Sequence, residues 1–244
     1  MEKSRGELQK IPKIGYNFLS MVKKTSKILP DFHYYVKGNN PKLLIHSGTH
    51  GDEYEVIDVV KKCIEKYEDK LPDFVFVPYV SPSAVSSKTR VNNNGSDLNR
   101  IFFSDSKDFE VQENIKAIKD YKFDLFVSFH EDPELPFYYI YDEGTNSNET
   151  TRVVNHNQKL QSLGVNLLNG IDDPEDPTLG IEFTNGYRKF VVSKEFKNSG
   201  MVTSWAIIND IVNDTLVPEI PGKADLKTKE LIVDTFFRDI LLLL

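Results

Sequence analysis

His50 and Glu53 are separated by two residues in the segment LLIHSGTHGDEYE, just past a short apolar run. A third group, His130, closes a second apolar run, FDLFVSFH. At a strand-to-helix turn, such spacing can bring an imidazole and a carboxylate to one point. Two His and one Glu would leave zinc one open position for water, which is the catalytic rather than the closed structural arrangement. A bare His-x-x-Glu pair also serves as a surface or capping pair. The single cysteine, Cys63, rules out an internal disulfide and a thiolate metal cluster, so a metal here needs His and carboxylate ligands.

A second chemical segment is SKTRVNNNGSDLNRIF. Arginine is scarce: six of the 30 cationic residues. Two of the six, Arg90 and Arg100, fall in this segment beside Asn99. The planar guanidinium fork matches a carboxylate or an oxyanion better than an ammonium does; the alternative is two solvated loop arginines. Glu131 and Asp132 follow His130 and read either as acceptors for a ligand histidine or as an acidic turn before Pro133. His46 lies inside its apolar run and reads as a core histidine. His33 and His156 have no context that assigns them a role.

These groups need strands and helices to hold them. Residues 42–46, 74–80 and 123–129 read as buried strands, and 137–141 as a further strand. Helical spacing runs through 53–67, with Val56, Val59, Val60, Cys63 and Ile64 on one face, so Cys63 reads as core. Residues 109–119, 147–162, 200–210 and 225–243 also read as helices, and 215–219 as a short strand. Residues 81–104 read as a long functional loop, and 163–198 as loop-rich with short strands. Strands alternating with helices predict an α/β fold, a three-layer sandwich with a mixed, mostly parallel central sheet flanked by helices. Sites in such sheets form beyond the carboxyl ends of strands, where His50 and His130 stand.

The composition is that of an ordinary globular chain: 244 residues, 39% hydrophobic, 27% charged, net charge −7. That size suits one domain. The acidic balance and the lack of basic runs argue against nucleic acid and anionic membranes as partners. No stretch approaches the roughly 20 apolar residues that span a bilayer, and the first 24 residues lack a secretory core. The expectation is a cytoplasmic protein; its oligomeric state is not legible.

Taken together, HSGTHGDE, then KTR…DLNRIF, then SFH resemble the successive motifs of the zinc carboxypeptidase superfamily. That superfamily includes the succinylglutamate desuccinylase and aspartoacylase deacylases. The resemblance runs in order over residues 42–232, with long unmatched stretches. It implies one zinc per chain on His50, Glu53 and His130, and a single catalytic domain over 1–244. The family also uses a late glutamate as general base, and Glu182 and Glu219 compete for that place. The order Ser199-Gly200, Trp205, Glu219 resembles the carboxypeptidase pattern and favours Glu219. The same alignment puts Phe196 where carboxypeptidases carry a mobile tyrosine.

The resemblance implies amide hydrolysis beside a free carboxylate. Glu219 would take a proton from water, Arg90 would stabilise the oxyanion, and Asn99 and Arg100 would hold the substrate carboxylate. The substrate would be a small peptide, cut by a metallocarboxypeptidase, or an N-acyl amino acid, cut by a deacylase of the desuccinylase/aspartoacylase type. Trp205 and the Ser-Gly before it favour the peptidase. So does the expectation that 25 residues after Glu219 leave no room for the deacylases' usual β-domain. A non-catalytic zinc- or carboxylate-binding module is the reading from another class.

Overall fold

A computed structural model describes residues 20–148, 150–173, 180–192 and 198–244. Its strands are β1 (Val22–Thr25), β2 (His33–Val36), β3 (Leu43–His46), β4 (Phe74–Val77), β5 (Leu125–Ser128), β6 (His130–Asp132), β7 (Tyr139–Gly144), β8 (Gly170–Ile171), β9 (Glu182–Phe183), β10 (Tyr187–Val191) and β11 (Asp214–Pro221). Its helices are α1 (Tyr54–Tyr67), α2 (Pro82–Ser87), α3 (Phe109–Ile118), α4 (Thr151–Ser162), α5 (Val202–Ile208) and α6 (Leu226–Asp239). Nine strands form one sheet in the order β1-β2-β4-β3-β5-β11-β7-β10, with β6 also paired to β11. Pairing is antiparallel for β1–β2, β2–β4 and β11–β7 and parallel elsewhere. The expected mixed, mostly parallel α/β sandwich is what forms.

The layers follow from strand alternation, because successive side chains face opposite sides of a sheet. Leu43 and Ile45 pack on one face with α1, α4 and α6 through Val56, Val60, Leu160, Ile232 and Phe236. Leu44, Val75, Val77 and Phe126 pack on the other with α3 and α5 through Val111, Ile118, Trp205 and Ile207. Cys63 is buried in the first of these layers, and burial pushes its thiol up to about 12, so it behaves as a core residue.

Two expectations are corrected. The stretch 81–104 is not one loop: it holds α2, with Pro82 in its first turn, and a 3₁₀ turn over Leu98–Arg100. The antiparallel pair β1–β2 went unread because Val22–Thr25 is exposed throughout and offers no apolar alternation. No described helix is long and apolar enough to cross a membrane.

Gly51 is required where α2 crosses the loop after β3. A Cβ there would lie 1.8 Å from the Ala84 carbonyl oxygen, and the Gly51 N–H instead donates to the Thr89 carbonyl at 2.9 Å. This close approach sets the loop that carries His50 directly against the segment that carries Arg90.

Candidate metal centre and active site

His50 and Glu53 occupy the turn between β3 and α1, and His130 opens β6 just past β5. Strands β3 and β5 are parallel neighbours, with His46 opposite Ser128, so their carboxyl ends deliver the two segments to one place. His50 Nδ1 lies 2.5 Å from one Glu53 carboxylate oxygen, and His130 Nδ1 lies 2.9 Å from the other. The three donor atoms fall within 4.8 Å of one another, and all three residues are buried.

The groups behind these donors fix their orientation. His50 Nε2 faces the Asp97 carboxylate at 3.0 Å, and His130 Nε2 faces the Ser128 hydroxyl at 3.1 Å. The Glu131 N–H donates to Glu53 at 3.2 Å. The Glu131 carboxylate accepts from the Val56 N–H and from Lys229 Nζ at 2.7 Å, and Lys229 also pairs with Glu55 at 2.6 Å. Asp132 accepts from the Tyr139 hydroxyl at 2.7 Å. Neither acid therefore caps a ligand histidine; Asp97 and Ser128 face the rings instead. Asp97 stood inside the motif DLNRIF without a role, and Ser128 and Lys229 gave no signal in the sequence.

The electrostatics suit a cation. Burial opposes a charge on His50, but Glu53 and Asp97 outweigh it and raise the ring to about 9. Burial likewise works against an ionised Glu53, yet the two histidines hold it well below the usual carboxylate range. Asp97 is held low in the same way by His50 and then Arg90. Two imidazole nitrogens and a carboxylate, buried, convergent and open toward a cavity, are a donor set that fits a divalent metal. His46 is different: among the described residues neither ring nitrogen has a partner, burial pushes it down to about 3, and it stacks edge-on to Phe126. It remains a core histidine.

The donors open onto a cavity of about 1180 Å³ that Arg90, Asn99, Arg100 and Glu219 also line. Arg90 pairs through one terminal nitrogen with Asp97 at 3.0 Å and is otherwise half exposed. The 3₁₀ turn holding Asn99 and Arg100 is capped by Asp97 and clamped by Gly200. The Phe102 N–H donates to the Gly200 carbonyl at 2.9 Å, and a Cβ on Gly200, whose φ is +84°, would lie 2.2 Å from the Arg100 carbonyl oxygen. The Asn99 side-chain oxygen accepts from the Val202 N–H at 3.2 Å. Glu219 lies on β11 in register with His130 of β6 and Tyr139 of β7. Burial raises Glu219 well above the ordinary carboxylate range, and the charges of Glu53 and Asp132 add to this against His50 and Arg90. Glu182, on the short strand β9, is exposed and does not line the cavity. Phe196 lies outside the described residues.

Asp97→Ala should lower metal affinity about 10–100-fold, because a ring without its outer partner is no longer held in one tautomer and orientation. Competition with a chromophoric chelator measures this. Unchanged affinity would detach Asp97 from the centre.

Comparison with known proteins places these residues in context. Residues 39–151 match the succinylglutamate desuccinylase/aspartoacylase catalytic domain. No curated protein matches the chain at a significant level. Among solved structures, a candidate metallopeptidase from Shewanella amazonensis superposes with a TM-score of 0.70 at 16% identity, over 90% of this chain and 85% of that one. A metallo-carboxypeptidase from Pseudomonas aeruginosa, in complex with (2-guanidinoethylmercapto)succinic acid, superposes with a TM-score of 0.59 at 18% identity, over 92% and 63%. The murein-tripeptide amidase MpaA from Escherichia coli O157 superposes with a TM-score of 0.57 at 16% identity, over 93% and 96%. At these identities the likeness is one of fold.

Proposed function

We propose that the chain is a zinc-dependent hydrolase that cleaves an amide bond beside a free carboxylate, as a metallocarboxypeptidase; the match of residues 39–151 to the succinylglutamate desuccinylase/aspartoacylase catalytic domain and the fold shared with metallopeptidases support this reading. The observation that carries this reading is one cavity lined by the His50–Glu53–His130 donors, by Glu219, and by Arg90, Asn99 and Arg100. Zinc held by those three side chains would supply a water of lowered pKa and polarise the scissile carbonyl.

The chain's own residues do the rest. Glu219 accepts a proton from water and returns it to the leaving amine. Arg90 hydrogen-bonds the developing oxyanion, a role worth roughly 3–4 kcal/mol where such donors have been removed elsewhere. Arg100 grips the free carboxylate with its planar fork, and Asn99 assists from the same turn. Gly200 and the cap from Asp97 keep that turn rigid, so the carboxylate is held at a fixed distance from Glu219.

An N-acyl-amino-acid deacylase is the second reading, favoured by the family whose domain matches residues 39–151. A panel of N-blocked dipeptides and N-acyl amino acids, offered to the zinc-loaded protein, tests both. Release of free C-terminal amino acids from peptides is the expected result. Hydrolysis of acyl amino acids alone would select the deacylase. Zinc bound without hydrolysis of any member would reduce the chain to a binding module.

A further inference from the structure

Helix α1 begins at a metal donor. Glu53 occupies the place before Tyr54, where an acid ordinarily turns its carboxylate onto the N–H of the second or third helical residue. The start of a helix also carries a partial positive charge that draws an anion inward. Glu53 answers neither pull. Its φ of −91° and ψ of 37° lie outside the extended region that a capping residue adopts, and among the described residues it makes no capping bond. Its two oxygens face the histidines instead, one toward His50 and the other toward His130.

The cap comes from another strand. Val56 is the third residue of α1, and its N–H donates to one carboxylate oxygen of Glu131 on β6. The other Glu131 oxygen accepts from Lys229 Nζ at 2.7 Å. The Glu131 N–H meanwhile donates, at 3.2 Å, to the Glu53 oxygen that faces His130. One residue thus takes the helix end with its side chain and holds the donor with its backbone. Glu131 is buried and Lys229 fully so. Lys229 reaches this place from α6, which is tied along α1 by Lys62–Glu230 at 2.9 Å and Lys66–Asp234 at 2.6 Å. A buried ion pair adds little to stability, because taking two charges out of water costs about what their attraction returns. Its effect here is on position: it sets the Glu131 carboxylate against the end of α1.

We propose that Glu131, anchored by Lys229, is a positioning residue for the metal centre: by capping α1 in place of Glu53, it leaves the Glu53 carboxylate to face a metal together with His50 and His130. This rests on the metal-centre reading and adds to it a residue that acts through Glu53 alone. Without an acceptor at this place, the Val56 N–H and the charge of the helix end compete with the metal for Glu53.

The test compares Glu131→Gln with Glu131→Leu, each combined with Lys229→Met so that neither leaves a buried charge unpaired. The two side chains are neutral and similar in size, and only glutamine keeps an oxygen for the Val56 N–H. Zinc affinity is read by competition with a chromophoric chelator, at a temperature where circular dichroism shows every variant folded. The glutamine variant should bind zinc within about threefold of the wild type. The leucine variant should lose about 10–100-fold, the range for partners that orient a metal ligand. With cobalt as the probe, the visible absorption of the glutamine variant should match the wild type, and that of the leucine variant should shift. Equal zinc affinity in the two variants, high or low, would overturn the proposal. Should the leucine variant not fold, amide exchange in metal-free Glu53→Ala decides. The Val56 N–H should keep its protection to within about threefold, because its acceptor stands on β6. Loss of that protection would make Glu53 the cap and overturn the proposal. If the wild type binds no zinc, the metal-centre reading fails, and the exchange experiment still decides which acid holds the helix end.

Discussion

The Glu219→Gln protein should fold, keep its metal and lose turnover by about 10²–10⁴-fold, the usual worth of a positioned general base. Glutamine is nearly isosteric and still hydrogen-bonds, but it cannot accept a proton from water at neutral pH. Removing the acid also removes one of the buried charges that face Glu53, so the variant should melt no earlier than the wild type. Glu182→Gln is the matched control. Its side chain is exposed on a two-residue strand, and its kcat should stay within about twofold. Steady-state rates per folded molecule, with zinc content measured on the same samples, read both. An inactive Glu182→Gln beside an active Glu219→Gln would mean that the late glutamate has been assigned to the wrong strand.

His130→Ala should have the larger effect on the metal. Two donors do not close a catalytic zinc site. The variant also leaves one Glu53 oxygen without the ring nitrogen that now meets it at 2.9 Å. Zinc should be lost on dialysis against a chelator that leaves the wild type loaded, and activity should vanish with it. Excess zinc should restore little, because geometry rather than occupancy has been removed. Full occupancy after the same dialysis would show that the ligand set is wrong.

What could be read in the sequence were elements and groups whose signal is local. The buried strands announced themselves as apolar runs, and His50 and His130 stood out because they lie at or just past the ends of such runs, where sites form in sheets of this kind. The clamp of Gly200 on the Asn99–Arg100 turn was only half legible: both motifs were visible, but their contact across roughly a hundred residues was not. Asp97 was present in a recognised motif yet had no role until the fold set it 3.0 Å from His50. Lys229 was invisible because a lysine on the last described helix reads as solvent-facing; here it is fully buried between Glu55 and Glu131. In each case the missing information was a long-range pairing, which composition and periodicity do not encode.

The place of β11 in the sheet bears on the order in which this molecule comes into being. It follows every other strand in sequence, yet it sits between β5 and β7. Until it docks, the sheet exists as two unconnected halves, β1-β2-β4-β3-β5 and β7-β10. Such non-local closure is slow and leaves strand edges open while it is pending. On the ribosome, His50, Glu53 and His130 all emerge well before Glu219. On the proposed reading, a nascent chain presents the candidate donors before Glu219, so metal capture and competence to hydrolyse would be separated in time.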